Sequence, residues 1–402
     1  MTVAAPSRPT QVERRARVAV AVLFFTNGAL FANLLPRFPQ IKADLGLGNA
    51  AYGVAVVAFP MGAIVAGLAA GVAVRRLGSA RVAVAGTLLT AVGILVAGTA
   101  GSVAMFAGAL LLAGAMDSLT DVAQNAHGLR VQRRYGRSII NSFHAIWSIG
   151  AVTGGSMAAA AIALDLSRAQ HLAISAAVFV LAACAAWTFC LPESDDESTP
   201  EADADLGKAG RAERVLPGRR IAFVLASLVV IAMAGTLVED AGNSWATLYL
   251  SESLHAPATL AAQGYVALVA AQFVGRILGD RLVERFGQRT VARSGGLITA
   301  VGMGLALAVP TVPGTVLGFA AAGFGVATLV PAAMHEADEL PGLKRGSGLT
   351  VVSWLMRLGF LLSPPLVGLV ADTAGLRVGL LVVPLAGVLV LLFAGVLSNR
   401  RA

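Results

Sequence analysis

Long apolar runs constrain this chain more than any other feature of its sequence. Twelve such runs recur from end to end, and each approaches the ~20 residues that a helix needs to cross ~30 Å of hydrocarbon. In lipid, the backbone polar groups of a spanning run are satisfied only within a helix or a closed barrel. The sequence therefore predicts an all-α membrane protein. The predicted spans are residues 18–36, 50–74, 82–99, 103–129, 138–164, 170–191, 221–249, 259–279, 290–309, 313–334, 347–370 and 378–397.

The composition agrees with a chain whose solvent is mostly lipid. Hydrophobic residues make up 57% of the 402 residues and charged residues only 13%, whereas soluble domains carry about 25% charged residues. So few charges could not cover the surface of a water-soluble protein of this size. The dominance of apolar residues also excludes disordered and collagen-like chains.

Positive charge is concentrated on one predicted side of the membrane. With a cytoplasmic N-terminus, 25 of the 30 Lys and Arg fall on the cytoplasmic side or within the cytoplasmic end of a span, in agreement with the positive-inside bias. Arg37, Lys42, Arg168 and Arg377 fall outside, and Arg357 lies within a span. We therefore expect a multi-pass protein of the inner (plasma) membrane with both termini cytoplasmic. This distribution explains the net charge of +8 without nucleic acid as a partner.

The longest polar stretch divides the chain into two sets of six spans. It covers residues 192–220 and mixes acidic and basic residues with Pro and Gly, a composition typical of a flexible tether. The predicted organisation is a cytoplasmic tail over residues 1–17, a six-helix bundle over 18–191, a cytoplasmic linker over 192–220, a second six-helix bundle over 221–397 and a cytoplasmic tail over 398–402.

An internal repeat supports this division. Residues 74–83 read VRRLGSARVA and residues 283–292 read VERFGQRTVA, with Val, Arg, Gly, Val and Ala identical in place. The same offset of 209 residues pairs Gly150 with Gly359. A duplicated six-helix unit is typical of transporters in which two pseudo-symmetric halves rock around a shared central site.

The loop after the second span of each half carries a family motif. Residues 71–78 read GVAVRRLG and residues 280–287 read DRLVERFG. Their Arg-x-Gly core matches the motif G-x-x-x-D-R-x-G-R-R, and the chain resembles the major facilitator superfamily of secondary transporters. Arg75 and Glu284 stand where the motif has Asp. The resemblance implies twelve transmembrane helices in two pseudo-symmetric six-helix bundles.

We expect the residues that the repeat and the motif share to form a cytoplasmic gate. The alternative is that these charges only set the topology and contact anionic lipid. The expected gate residues are Arg76, Gly78, Glu284, Arg285 and Gly287.

Three further segments are similar to a small-solute branch of the same superfamily. Residues 125–128 read NAHG, residues 142–150 read SFHAIWSIG, and residues 239–250 contain an Asp-Trp-like element. That branch includes bacterial members linked to rhizopine or inositol-like compounds. The similarity implies a fold and a class of protein, and it does not imply a ligand.

Span four places two carboxylates at membrane depth. Asp117, Asp121 and Asn125 are spaced four residues apart and share one helical stripe. Because two carboxylates one turn apart repel when both are ionised, we expect one of them to hold a proton near neutral pH. The functional interpretation is proton binding coupled to a solute. The structural alternative is a carboxylate hydrogen-bonded to a neighbouring helix or neutralised by Arg.

Polar groups also lie on span five and span seven. Asn141 and His144 share one face of span five, where His144 can relay protons, contact the solute or simply pack. Trp147 lies off that face, as a cavity wall or as ordinary packing. On span seven, which also carries Asn243, we expect at least one of the acids Glu239 and Asp240 to face a vestibule. The alternative is a wet helix end with Trp245 and Tyr249 as interfacial anchors.

Arg357 is expected to be the only cation at mid-depth. It stays charged and therefore needs a counter-ion in lipid, for which Asp117, Asp121, Glu239 and Asp240 are the candidates. An alternating pair would be functional, and a permanent pair would be structural. Asn27 lies near the middle of span one and is a candidate for solute contact.

The sequence thus predicts a secondary active transporter, and not an enzyme, that moves a small polar or amphipathic solute with protons. The alternatives are a drug or metabolite/proton antiporter, a membrane-embedded metal enzyme and a non-transporting solute sensor. We expect a monomer without a cofactor or metal. No nucleotide-binding Walker loop is present, so the sequence does not support ATP-driven pumping within this chain. The predicted proton-coupling residues are Asp117, Asp121, His144, Glu239 and Asp240, and the predicted solute contacts are Asn27, Asn125, Asn141, Trp147, Asn243 and Arg357.

Overall fold

A computed structural model describes residues 9–136, 139–192, 218–343 and 347–398. Within these ranges, eleven helices have the length and the apolar composition to cross a membrane, and a further 29-residue helix, α8, completes a set of twelve. The predicted all-α membrane fold is thereby confirmed. The helices are α1 (Gln11–Asp44), α2 (Asn49–Leu77), α3 (Ser79–Gly98), α4 (Val103–Tyr135), α5 (Ile140–Ala163), α6 (Arg168–Trp187), α7 (Gly218–Ser253), α8 (Ala258–Phe286), α9 (Gln288–Ala308), α10 (Val312–Asp338), α11 (Ser347–Ala374) and α12 (Leu376–Val396).

Helix α1 begins at Gln11, before the predicted first span and within the predicted tail. A capping box accounts for the early start. The side chain of Thr10 accepts a hydrogen bond from the backbone of Glu13 (3.3 Å), and the Glu13 carboxylate accepts one from the backbone N–H of Thr10 (2.6 Å). These two bonds satisfy backbone donors that a helix start otherwise leaves free. Most of the predicted linker, residues 193–217, lies outside the described part of the chain.

The sequence repeat appears in the backbone geometry of the two halves. Gly78 joins α2 to α3 with φ +89°, and Gly287 joins α8 to α9 with φ +81°. An L side chain rarely adopts a φ of this sign, so both tight turns favour glycine. The pair therefore marks the same turn in both six-helix units.

The second glycine pair brings the fifth helix of each half against the first. A Cβ on Gly150 would lie 2.2 Å from the carbonyl oxygen of Phe25 in α1. A Cβ on Gly359 would lie 2.1 Å from Oγ1 of Thr236 in α7. Small residues let membrane helices approach this closely. The two halves are thus built on the same internal packing.

The two halves meet at the end of the bundle that lies away from the chain termini, which we call the distal end. The ammonium of Lys42, near the end of α1, lies 2.9 Å from both carboxylate oxygens of Glu252 at the end of α7. The carboxylate of Asp372, near the end of α11, accepts hydrogen bonds from the backbone N–H groups of Asn49 (2.8 Å) and Ala50 (3.0 Å) at the start of α2. Charged groups and a helix N-terminus therefore join one half to the other.

Close backbone packing accompanies these bonds. A Cβ on Gly53 of α2 would lie 2.4 Å from the carbonyl oxygen of Pro364 in α11, and a Cβ on Gly368 would lie 2.4 Å from that of Asn49. Two helices from different halves thus cross with almost no space between their backbones. We call the contacts made by Lys42, Glu252, Asp372, Gly53 and Gly368 the distal seal.

The glycine packing predicts a selective loss of stability. We expect Gly150→Ala to lower the free energy of unfolding by about 1–3 kcal/mol, because the added methyl group overpacks the contact with α1. Thermal unfolding of the purified protein in detergent measures the effect. Gly108→Ala is the matched control, since that glycine lies within α4 and its Cβ would meet nothing within 4 Å. Equal melting temperatures for the two variants would contradict the assignment.

Candidate functional site

A central cavity of about 250 Å³ lies between the two halves. Its walls come from α1, α2, α4 and α5 of the first half and from α7, α8 and α11 of the second. A cavity shared by pseudo-symmetric halves is where a transporter of this architecture binds its solute. The polar lining residues are Asn27, Asp117, Trp147, Glu239, Asp240, Asn243, Ser244, Tyr265 and Gln272.

Asn27 organises the wall formed by the first half. Its amide nitrogen donates to the carboxylate of Asp117 at 2.7 Å, and its amide oxygen accepts from the indole N–H of Trp147 at 2.8 Å. Gln124 also donates to that oxygen at 3.3 Å. The indole and the Gln124 amide thus fix the orientation of the Asn27 amide and leave its nitrogen to hold Asp117.

Glu239 has basic and amide partners on α8. Gln272 donates to its carboxylate at 2.8 Å, and the guanidinium of Arg276 lies 3.6 Å from the same oxygen. The expectation that Arg357 is the only cation at mid-depth was wrong. Arg276 belongs to the apolar run of span eight, and it follows Gln272 by one helical turn on the same face.

Asp240 lines the cavity beside Glu239 but has a different environment. It is 8% exposed, and its Oδ2 is buried without a hydrogen-bond partner. The alternative interpretation of this helix end as a wet interface was wrong, because Trp245 and Tyr249 are buried instead of anchoring at a surface. Trp245 packs edge-on against Tyr52 of the other half, with ring centroids 5.0 Å apart.

A second charged group lies one helical turn beyond the cavity, toward the chain termini. The carboxyl group of Asp121 interacts electrostatically with His144 in α5 and with Arg357 in α11. The guanidinium of Arg357 reaches across to the first half, since a Cβ on Gly67 of α2 would lie 3.8 Å from it. Asp121 and Arg357 are therefore close enough to interact electrostatically across the boundary between the halves.

The predicted amide contacts do not all reach the cavity. Asn243 lines it, whereas the amide nitrogen of Asn125 donates to the backbone oxygen (2.8 Å) and the carboxylate (3.1 Å) of Asp121 on its own helix. The side chain of Asn141 lies outside the described part of the chain.

The predicted gate residues lie at the end of the bundle that holds the termini. Arg76, Glu284 and Arg285 are exposed there, and Gly78 and Gly287 form the two left-handed turns described above. The exposed side chains lie far from the distal seal. Their role as a gate stays a prediction.

Sequence reasoning missed four contributors to the site, namely Gln124, Tyr265, Gln272 and Arg276. A signal was present for two of them, because Gln272 and Arg276 interrupt an apolar run at helical spacing. Tyr265 and Gln124 gave no such signal, since their roles depend on contacts between helices. Among the described residues, no group of three or more His, Cys, Asp or Glu is placed to hold a metal ion.

Comparison with known proteins agrees with this architecture. The model of the Major Facilitator Superfamily matches residues 20–277 and 228–402. The uncharacterized transporter y4wD of Sinorhizobium fredii is 30% identical over 94% of this chain and 97% of its own. Membrane protein MosC of Rhizobium meliloti is 28% identical over 92% of this chain and 88% of its own.

Solved structures show the same fold at low sequence identity. The nucleoside transporter NupG superposes with a TM-score of 0.68 at 14% identity, over 96% of this chain and 99% of that chain. A D-xylose-proton symporter gives a TM-score of 0.68 at 16% identity, over 96% of this chain and 98% of that chain. The prediction of a transporter, and not an enzyme, is confirmed by this family membership. The protein is a multi-pass solute transporter, and its chain belongs to the Major Facilitator Superfamily.

Proposed function

We propose that the protein is a proton-coupled secondary transporter that moves a small polar or amphipathic organic solute by alternating access. The observation that carries this proposal is the cavity between the halves, which is lined by the carboxyl groups of Asp117, Glu239 and Asp240. Ionisable groups cost about 2.5–3.5 kcal/mol each at the centre of a membrane helix, so their convergence on one cavity favours a functional role.

The size of the cavity favours a small solute over a drug. Its volume of about 250 Å³ lies below the ~300–1,000 Å³ of pockets that bury drug-sized ligands. A solute of the size of a monosaccharide suits this space better than a multi-ring compound does.

The arrangement of the acids supports coupling to protons. Asp117 faces the cavity and is held by Asn27, whereas Asp121, one turn away, faces Arg357 of the other half. Because two close carboxylates repel when both are ionised, a proton taken by one of them relieves the repulsion. In our proposal, the solute and Asn27 act on Asp117, and the movement of the halves changes how closely Arg357 approaches Asp121.

The closed distal seal supports an assignment of this conformation as inward-open. The predicted orientation places both termini in the cytoplasm of a cell bounded by this plasma membrane, so the distal end faces outward. The chain also superposes on a bacterial Spinster homologue in an inward-facing conformation, with a TM-score of 0.70 at 14% identity. Each half contributes to one cavity within a single chain, so we infer that a monomer suffices for transport.

The proposal is tested by identifying a ligand and then measuring its flux. A thermal-shift screen against sugars, inositols and amino compounds identifies a stabilising solute, because binding to the native state raises the apparent melting temperature. We expect proteoliposomes to accumulate or expel that solute when a pH gradient is imposed. If the flux is unchanged when an uncoupler collapses the pH gradient, transport is not coupled to protons. Binding of the solute without any flux would identify the protein as a sensor.

Removing the charge of either acid on α4 should impair transport driven by the pH gradient more than it impairs counterflow of solute without a gradient. We expect Asp117→Asn and Asp121→Asn each to reduce transport driven by the pH gradient at least tenfold, because an amide cannot take up and release the proton. Counterflow of solute without a gradient should persist in at least one of them. Asp338→Asn, an exposed carboxyl outside the cavity, is the control. Full gradient-driven activity in both α4 variants would refute the coupling role.

Arg357 should be needed for transport and dispensable for folding. We expect Arg357→Ala to lower flux to the level of empty liposomes and Arg357→Lys to retain part of it, because the positive charge opposite Asp121 is preserved. The amount of protein in the membrane and its melting temperature are measured in parallel. Arg219→Ala, at an exposed arginine, is the control. Loss of the Arg357→Ala protein from the membrane would indicate a structural pair instead.

The ion pair of the distal seal should bias the conformational equilibrium. We expect Lys42→Glu to shift the population toward the distally open state about fivefold, which corresponds to ~1 kcal/mol for a partly exposed pair. Spin labels on Ala43→Cys and Ser253→Cys, with the two native cysteines replaced, report the distance across the seal. Combining Lys42→Glu with Glu252→Lys should restore the original distribution. An unchanged distribution in the single variant would show that the pair has no role in the seal.

A further inference from the structure

The three cavity carboxylates differ in how they are compensated. The Asn27 amide holds Asp117, and Gln272 and Arg276 hold Glu239. Among the described residues, the hydrogen-bonding side chains beside Asp240 are the hydroxyls of Ser244 and Ser363, and its Oδ2 is buried without a hydrogen-bond partner. Asp240 is therefore the one of these three acids that neither an amide nor a cation compensates.

Leaving such a group without a partner is costly. A buried polar atom without a hydrogen bond costs about 1–3 kcal/mol, and a charged one costs more. Asp240 is 8% exposed and its side chain contributes to the cavity wall. A group that enters the cavity can thus regain for Asp240 the interaction that the protein does not supply.

The charge of the cavity limits what that group can be. Among the described residues, the lining contains three carboxyl groups and no Lys, Arg or His. Arg276 compensates Glu239 from outside the lining. An anionic solute would meet like charge in a low dielectric, whereas a cation would meet an uncompensated acid.

Much of the remaining wall of the cavity is aromatic. Phe31 of α1 and Phe59 of α2 stack with ring centroids 3.9 Å apart, and Trp147 and Phe360 also line the cavity. Aromatic faces attract cations and the apolar faces of rings. The cavity therefore combines an unpaired acid on α7 with an apolar wall that suits a compact carbon skeleton.

Building on the transport function proposed above, we propose that the solute is a small organic amine, whose ammonium group binds Asp240 while its carbon skeleton lies against the aromatic wall. In this assignment Asp240 recognises the solute in the central cavity, and the carboxyl groups on α4 keep their role in proton coupling. It excludes neutral polyols and anions as the preferred solutes.

Matched pairs of compounds that differ only in an amine or a hydroxyl group test this inference. Cyclohexylamine with cyclohexanol and glucosamine with glucose are two such pairs. Binding of each compound to the purified full-length protein is measured by thermal shift and titration calorimetry, and uptake is measured in proteoliposomes. We expect at least one amine to bind at least tenfold more tightly than its hydroxyl partner.

Substitution of Asp240 assigns the preference to this residue. We expect Asp240→Asn to weaken binding of that amine at least tenfold and to change binding of its hydroxyl partner less than twofold. Asp240→Glu should retain part of the amine preference, because it keeps the charge. Asp338→Asn, which removes an exposed carboxyl outside the cavity, should change neither. If Asp240→Asn does not fold, the comparison of each amine with its hydroxyl partner in the unmodified protein still tests the substrate class, and Asp240→Glu tests the role of the residue.

The outcomes separate this inference from the proposed function. The absence of any preference for amines in the unmodified protein, or an amine preference that survives Asp240→Asn, overturns the assignment. Gradient-driven uptake of neutral compounds without uptake of amines also overturns the substrate class, and it leaves proton-coupled transport intact. Tight amine binding that depends on Asp240 but produces no flux supports the recognition site and refutes the transport function.

Discussion

A hydrocarbon environment supplies no hydrogen bonds, and every other property of this protein depends on that constraint. Backbone groups are satisfied inside helices, and the helices pack through glycines such as Gly150 and Gly359, which let one backbone touch the next. Ionisable side chains are confined to places where a partner or water is available. Three of the membrane-embedded carboxyl groups therefore line the central cavity.

The partners of the acidic groups divide the site into two layers. Asp117 and Glu239 are compensated at the cavity by Asn27 and by Arg276, respectively. Asp121, one turn below, faces a cation of the other half instead. Recognition and the control of movement can thus use different carboxyl groups, although Asp117 and Asp121 are adjacent on one helix and influence each other electrostatically.

The sequence predicts the fold well, because the signals involved are long or repeated. Twenty-residue apolar runs, biased loop charges and the repeat around Gly78 and Gly287 each average over many residues. Acids at membrane depth likewise indicate a site. The sequence does not predict which acid lacks an amide or cationic partner, since that depends on where α8 places Gln272 and Arg276. Trp245 was misjudged for the same reason, because a tryptophan near a helix end resembles an interfacial anchor until Tyr52 of the other half covers it.

The contacts of Gly53 and Gly368 have a consequence for the electrical properties of the membrane. Backbones that meet without intervening side chains leave no continuous file of water between α2 and α11 on the distal side. Such a barrier insulates the cavity, even though the cavity contains acids capable of passing protons along. The glycines thus place a barrier to water and protons on the distal side of the cavity.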